Sequence, residues 1–393
     1  MGSKESRPGR LGLLLIGVAA ALMPLKASAG WVSGPTLRLR LEGRYDSNLA
    51  EGGGDGSSLV QPGVGWKLAS PTTTIDALYL FEVVSFAHQG AGRGGVNHRV
   101  RGDQHFELDK RSTLELHQAF EQVYDPTSLS RIGVVRTAGR TSYAEADLGF
   151  NRRLGHTWNI GVRLQEEYAR IDTPSDPGLP RPDASDSAVH SPSAWLSHSW
   201  STRDASTLRY RLQYFQAIGG LDAASNEVSL SYAHDFTKTV RMELEVGPAW
   251  YTMNGTTSTV PWGRWELNQI WQRVTLGLKY ERGLFGSTGF EGALWGDAIS
   301  GVANWRVSEP LRATVAVAAF RNGAAPDRSA FVGGFGGAAV LEYALGGDVA
   351  AQFAWRRVEQ WTLSGAGLSA IDISRNVFAA GFFWQLDGGR LPR

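Results

Sequence analysis

The sequence predicts a single antiparallel, up-and-down β-barrel that crosses a membrane with its strands. Three observations carry that expectation. Segments of about 10 to 14 residues alternate apolar and polar side chains with period two; Gly, Pro, Asn and Asp punctuate them; and short and long connections take turns along the chain.

The alternation is clearest in three places. Across Thr36 to Leu49, Leu37, Leu39, Leu41 and Tyr45 share one face, and Arg38, Arg40, Glu42, Arg44 and Asp46 share the other. Across Thr157 to Arg170, Trp158, Ile160, Val162, Leu164 and Tyr168 oppose Arg163, Gln165 and Glu167. Across Thr239 to Met253, Val240, Met242, Leu244, Val246 and Trp250 oppose Arg241, Glu243 and Glu245. A helix would mix these faces. Counting such segments from Thr36 to Leu386 gives about 18 strands, within a range of about 16 to 20, and an even number suits a bacterial barrel. The pattern is blurred near Val260 to Leu267 and in the Gly-rich stretch Phe331 to Tyr343.

Period two alone does not separate a membrane barrel from a soluble sandwich, in which a second sheet would cover the apolar face. The rhythm of the connections does. Short ones fall near Ser70-Pro71, Lys110-Arg111, Arg152 to His156, Thr202 to Ala205, Asp235 to Lys238, Asn268 to Trp271, Arg306 to Glu309 and Gly346-Gly347. Longer ones rich in Gly, Pro and Asp lie between them: Ala50 to Gly56, Ala87 to Gly95, Asp125 to Thr137, Ile171 to Val189, Gly219 to Ser225, Ala324 to Ser329 and Glu359 to Asp372. Tight turns at one rim and long loops at the other are the asymmetry of outer-membrane barrels.

The N-terminus reads as an export signal, with Lys4, Arg7 and Arg10 ahead of the apolar run Leu11 to Leu22 and a small-x-small cleavage site at Ala27-Ser28-Ala29. The run is too short to serve comfortably as an uncleaved anchor. The expected organisation is a cleaved signal peptide over 1–29, a barrel over 30–386 and a short periplasmic tail over 387–393. The chain contains no cysteine, which excludes disulfide staples, thiol chemistry and a lipoprotein anchor. A formal net charge of +1 excludes a nucleic-acid footprint. A hydrophobic fraction of only 42% beside 14 Trp and 48 Gly fits strands with one face in lipid and one in water.

Candidate chemistry is sparse. The histidines are His88, His98, His105, His117, His156, His190, His198 and His234. His190-Ser191 and His198-Ser199 are sequence neighbours, and consecutive strand residues point to opposite faces, so neither makes a nucleophile–base pair. No G-x-S-x-G elbow occurs and no histidines sit at i, i+2, so no enzyme, metal or cofactor is expected. Glu51 to Gly56 has some of the look of a calcium-binding turn, against the plainer reading of a solvated loop. Thr173 to Asp186 could fold inward or reach outward.

What the interior offers is charge. Turning the polar faces inward lines the lumen with Arg38, Arg40, Arg44, Arg163, Arg209, Arg211, Arg241, Lys279 and Arg356, together with Glu42, Glu115, Glu167, Glu243 and Glu245, and with Asp76, Glu82, Glu121 and Glu281. The signs are balanced, which predicts a wet passage for polar solutes rather than strong ion selectivity, unless these side chains merely pair to brace the wall. Most tryptophans, among them Trp66, Trp158, Trp195, Trp200, Trp250, Trp262, Trp271, Trp295 and Trp305, fall near strand ends, as interfacial belts require.

Two short motifs add a resemblance. Gly381-Phe382-Phe383-Trp384-Gln385-Leu386 resembles the terminal-strand signal read by the barrel-assembly machinery, departing from it at Ala379, at Leu386 and in the trailing Asp387 to Arg393. Tyr45-Asp46-Ser47-Asn48 resembles the opening hairpin of porin-type outer-membrane barrels of Gram-negative bacteria, including about-18-stranded barrels found beside exopolysaccharide export systems. The resemblance implies residence in a Gram-negative outer membrane, contact with its lipid and lipopolysaccharide, and passage of secreted polysaccharide with the help of a periplasmic export protein. A diffusion porin importing small nutrients and a closed barrel that binds partners through its loops remain open alternatives.

Overall fold

Strands whose successive side chains are apolar and charged can bury neither face against the other, so they associate edge to edge until no edge is left. The computed structural model, described over residues 32–50, 53–87, 95–123, 140–172, 187–217, 222–286, 293–324, 331–364 and 373–387, contains eighteen of them. The first six are β1 (Val32–Ala50), β2 (Gly53–Ala69), β3 (Thr73–Phe86), β4 (Gly95–Asp109), β5 (Ser112–Val123) and β6 (Arg140–Leu154). Then come β7 (Trp158–Asp172), β8 (Ser187–Ser199), β9 (Asp204–Ala217), β10 (Ala223–Thr237), β11 (Val240–Met253) and β12 (Thr256–Ile270). The last six are β13 (Val274–Gly286), β14 (Ala293–Arg306), β15 (Leu311–Ala324), β16 (Phe331–Gly346), β17 (Val349–Ser364) and β18 (Ile373–Asp387).

Each strand pairs antiparallel with its sequence neighbours, and β1 pairs with β18 in the register Leu41↔Phe382 and Glu42↔Gly381, which closes the wall. The outer face is set by that register. Val64, Leu230, Val246, Ile299, Val317 and Phe382 are each more than half exposed although large and apolar, an arrangement that only a hydrocarbon surround satisfies. The expected terminal strand is therefore present, with Phe382, Trp384 and Leu386 on the face opposite Gly381 and Phe383. The outer face is not uniformly apolar: Glu166 of β7 and His190 of β8 both turn outward and hydrogen-bond to each other.

The turn rhythm holds on the side of the chain termini, where every connection is tight. On the opposite side two connections are tight as well. Ala50 pairs with Gly53, so Gly53 to Gly56 belong to β2 rather than to a long loop. Asn254-Gly255 joins β11 to β12, and both residues have positive φ, 51° and 73°, the geometry a two-residue hairpin requires. Glu359 to Ser364, read from the sequence as loop, extend β17. The blurred segments are full strands, β12 and β16. Residues 1–31, where the export signal is expected, and the segments 51–52, 173–186 and 388–393 lie outside the described residues.

Candidate functional site: the barrel lumen

Because the side-chain period is two, one exposed apolar residue fixes the direction of every other residue on its strand. The inner face then carries Arg38, Arg40, Glu42 and Arg44 on β1, Glu115 on β5, Arg163 and Glu167 on β7, Arg209 and Arg211 on β9, Arg241, Glu243 and Glu245 on β11, Lys279 on β13 and Arg356 on β17. Every sequence-derived candidate falls on that face. They do not form one site; they distribute into clusters around the wall.

The first cluster is a run of ion pairs across β1 to β5. Arg40 and Arg44 both bind Glu42, whose side chain is almost fully buried beneath them. Arg44 then approaches Glu82 at 3.8 Å, Arg99 approaches Glu82 at 3.9 Å, and Arg99 reaches Glu121 at 3.5 Å. Gln61 and Asn97 each donate to Glu82 at 3.0 Å, so the carboxylate is satisfied where water is scarce. At the closing seam Arg375 donates from Nε to Asp46 at 2.5 Å. Lower in the lumen, Arg101 donates to Asp103 at 2.7 Å, and Arg163 meets Asp147 at 3.1 Å.

The second cluster spans β9 to β13. Arg209 donates to both oxygens of Glu245 at 3.0 Å, Ser229 donates to the same carboxylate at 2.6 Å, and Arg211 donates to Glu227 at 2.7 Å. Lys279 pairs with Glu281 and Arg264 with Glu266. Arg241 lies 3.8 Å from Asp235, and Gln165 donates to Glu167 at 2.9 Å.

Arg99, Arg101, Asp103, Glu145, Asp147, Glu227, Arg264, Glu266 and Arg375 were not singled out from the sequence, while Asp46 was read only as a polar-face residue of the first strand and His117 only as one of the histidines. The signal for those on β4 was present, since Arg99, Arg101, Asp103, His105 and Glu107 occupy every second position. By contrast the inner face of β14 to β18 is made largely of small or apolar residues: Ala298, Ser300, Ala316, Ala318, Gly336, Ala338, Ala354, Val358, Val377 and Ala379. Arg356 interrupts it opposite Ala338 and Val377, and Arg312, Glu342 and Arg375 carry charge on the same face nearer the rims. The lumen is thus lopsided, densely charged on one arc and sparsely charged on the other.

One element leaves the wall. The ladder between β12 and β13 ends at Gly263↔Arg282, although β12 begins at Thr256, while β13 stays paired with β14 to Gly286↔Ala293. Freed from β12, the β13–β14 hairpin turns inward until β13 approaches β8, which is not its neighbour in the wall. There Leu284 and Trp295 pack with Val189 of β8, Phe215 of β9, Ala223 of β10 and Tyr251 of β11, all at most 7% exposed. This apolar cluster supplies the burial that holds the hairpin against the inner face of β8 to β11. The Arg282 guanidinium lies over the Trp295 ring at 5.3 Å, and Arg211 over Trp262 at 5.2 Å. Trp262 and Trp295 accordingly belong to the interior, as does Trp195, which lies across Gly161; these three are not belt residues. Trp66, Trp158, Trp200, Trp250, Trp271 and Trp305 are exposed on the outside.

A closed antiparallel wall, apolar outside and charged within, defines an outer-membrane β-barrel. No protein-family model matches the chain, and no curated protein matches its sequence. Among solved structures it is similar to the outer membrane protein OpdK of Pseudomonas aeruginosa, at 9% identity over 90% of this chain and 98% of that one, with a TM-score of 0.46. It is also similar to OccK9 (OpdG) of the same organism, at 12% identity over 90% of this chain and 98% of that one, with a TM-score of 0.46. OccAB4 of Acinetobacter baumannii is 11% identical over 93% of this chain and 100% of that one, with a TM-score of 0.43. None of these likenesses transfers a substrate or a residue role to this chain.

Proposed function

We propose that this barrel is a diffusion conduit for small hydrophilic solutes across the outer membrane. The observation that carries the reading is the inward β13–β14 hairpin, packed through Leu284 and Trp295 against the inner face of β8 to β11, which takes up part of a lumen whose wall carries a continuous run of charged side chains on β1 to β7. A narrowed, charged, wet passage favours solutes that keep part of their hydration and find hydrogen-bond partners along the wall.

Export of polysaccharide, which the sequence resemblance implies, asks for a bore that stays wide along its length, and a hairpin folded into the lumen weighs against it. Reconstitution decides between these readings. In proteoliposomes, sugars and amino acids of a few hundred daltons should equilibrate while dextrans of several thousand daltons stay out. The same barrel should give discrete conductance steps in planar bilayers. A protein that is folded in the bilayer yet passes neither ions nor sugars would remove the conduit reading, and free passage of dextran would restore the polymer one.

A further inference from the structure

The inner wall between β2 and β7 holds a recess of about 430 Å³ near the rim that carries the chain termini. At its floor His117 of β5 is held between carboxylates from both neighbouring strands. Its Nδ1 lies 2.6 Å from Asp103 on β4, and its Nε2 lies 3.0 Å from Glu145 on β6. Neutral imidazole has one N–H and one lone pair, so it can donate to only one of these partners and must turn its lone pair toward the other. Imidazolium donates to both. With both carboxylates ionised the two contacts suit the protonated ring, and loss of its proton removes one of the two hydrogen bonds.

The surroundings determine what that proton does to the lumen. On β4, Arg101 pairs with Asp103, and His105 lies 3.5 Å from Glu115 of β5. On β6, Tyr143 donates to Glu145 at 3.0 Å, and Asp147 meets Arg163 of β7. Glu167 of β7 stands opposite Glu145 in the register, and Lys67 of β2 faces Asp76 of β3 at 3.6 Å. Higher up, Arg99 and Glu121 form a balanced pair. The strip around the ring thus sets the carboxylates of Asp76, Asp103, Glu115, Glu145, Asp147 and Glu167 against only Lys67, Arg101 and Arg163. Its acidic excess is offset in part by the imidazolium. These side chains are between a quarter and two thirds exposed, so they face lumen water, where a change of one charge is felt by passing ions.

Resting on the conduit reading, we propose that His117 is a selectivity-determining residue of the lumen: protonated, it moderates the acidic strip, and deprotonated, it makes the passage more cation-selective. Of the other described histidines on strands, His98, His190, His198 and His234 face outward, and His105 touches its carboxylate through one ring nitrogen only.

The test is the reversal potential of the full-length barrel in planar bilayers under a KCl gradient, measured at pH 5.5 and pH 8. One charge a few ångströms from the ion path, screened by salt, should raise the K⁺/Cl⁻ permeability ratio about twofold at the higher pH. His117→Gln should hold the high-pH selectivity at both pH values, His117→Lys should hold the low-pH selectivity at both, and His105→Gln should keep most of the wild-type change. A His117→Gln barrel that retains the full pH dependence overturns the proposal, as does a wild-type barrel that conducts with the same selectivity at both pH values. Absence of conductance from wild type at either pH overturns the conduit reading itself, and this proposal with it.

Discussion

Val317 and Ala318 are consecutive residues midway along β15, and they point to opposite sides of the wall. Val317 is 58% exposed on the outer face; Ala318 lies on the inner face between Ser300 of β14 and Gly336 of β16. Val317 is six residues from the start of the strand, which at about 3.3 Å per residue and a tilt of about 40° places it roughly 15 Å above that rim, near the middle of the hydrocarbon. An arginine there should cost about 2–4 kcal/mol, or roughly 30- to 1000-fold in the folding equilibrium. An arginine at Ala318 meets water and two small neighbours, and should change stability by no more than about 0.5 kcal/mol. Urea titrations of the two variants in phospholipid vesicles, followed by tryptophan fluorescence and by heat-modifiable migration, measure the difference directly. Equal destabilisation of Val317→Arg and Ala318→Arg, or a larger loss for the inner substitution, would refute the assignment of lipid to one face and water to the other.

Three further outcomes are expected. Trp295→Ala removes the largest side chain of the cluster that pins the β13–β14 hairpin, so single-channel conductance should rise at least about twofold through a hairpin released from the inner face of β8 to β11, a Trp→Ala loss being worth about 3–5 kcal/mol of local packing; unchanged conductance would show that the hairpin does not limit flow. Gly247→Ala adds a methyl group that collides with the Val228 carbonyl and the Ser229 backbone of the adjacent strand, and should destabilise the barrel by about 1–3 kcal/mol in the same urea titration. Asn254→Val forces a β-branched residue into positive φ at the β11–β12 turn, and should slow folding and cost about 1–2 kcal/mol, whereas Asn254→Gly should be close to neutral.

The alternation that identifies the strands also orients them, because a residue's face depends only on whether it is odd or even within its strand. Arg38 and Glu245 could therefore be placed inward from their own neighbours alone. The same rule places Arg101, Asp103 and His117 inward on β4 and β5, since Arg99 and Glu115 share their parity. The clamp on His117 was not legible, because the approach of Asp103 and Glu145 depends on the stagger of three strands. Which carboxylate each arginine meets was not legible either. Glu82 gathers Gln61, Asn97, Arg44 and Arg99 from three other strands, and those distances follow from strand stagger.

The approximate strand number, the face turned to lipid and the inward direction of the charged side chains were thus set by local sequence, since each rests on residues two positions apart. The inward hairpin was decided by the folded barrel alone. Leu284 and Trp295 acquire their burial from Val189, Phe215, Ala223 and Tyr251, which come within reach only once β8 to β12 have paired into a curved sheet and the β13–β14 hairpin has folded onto its inner face. No periodicity records a contact between side chains that become neighbours solely through the curvature of the sheet, and it is that contact which holds the hairpin inside the wall.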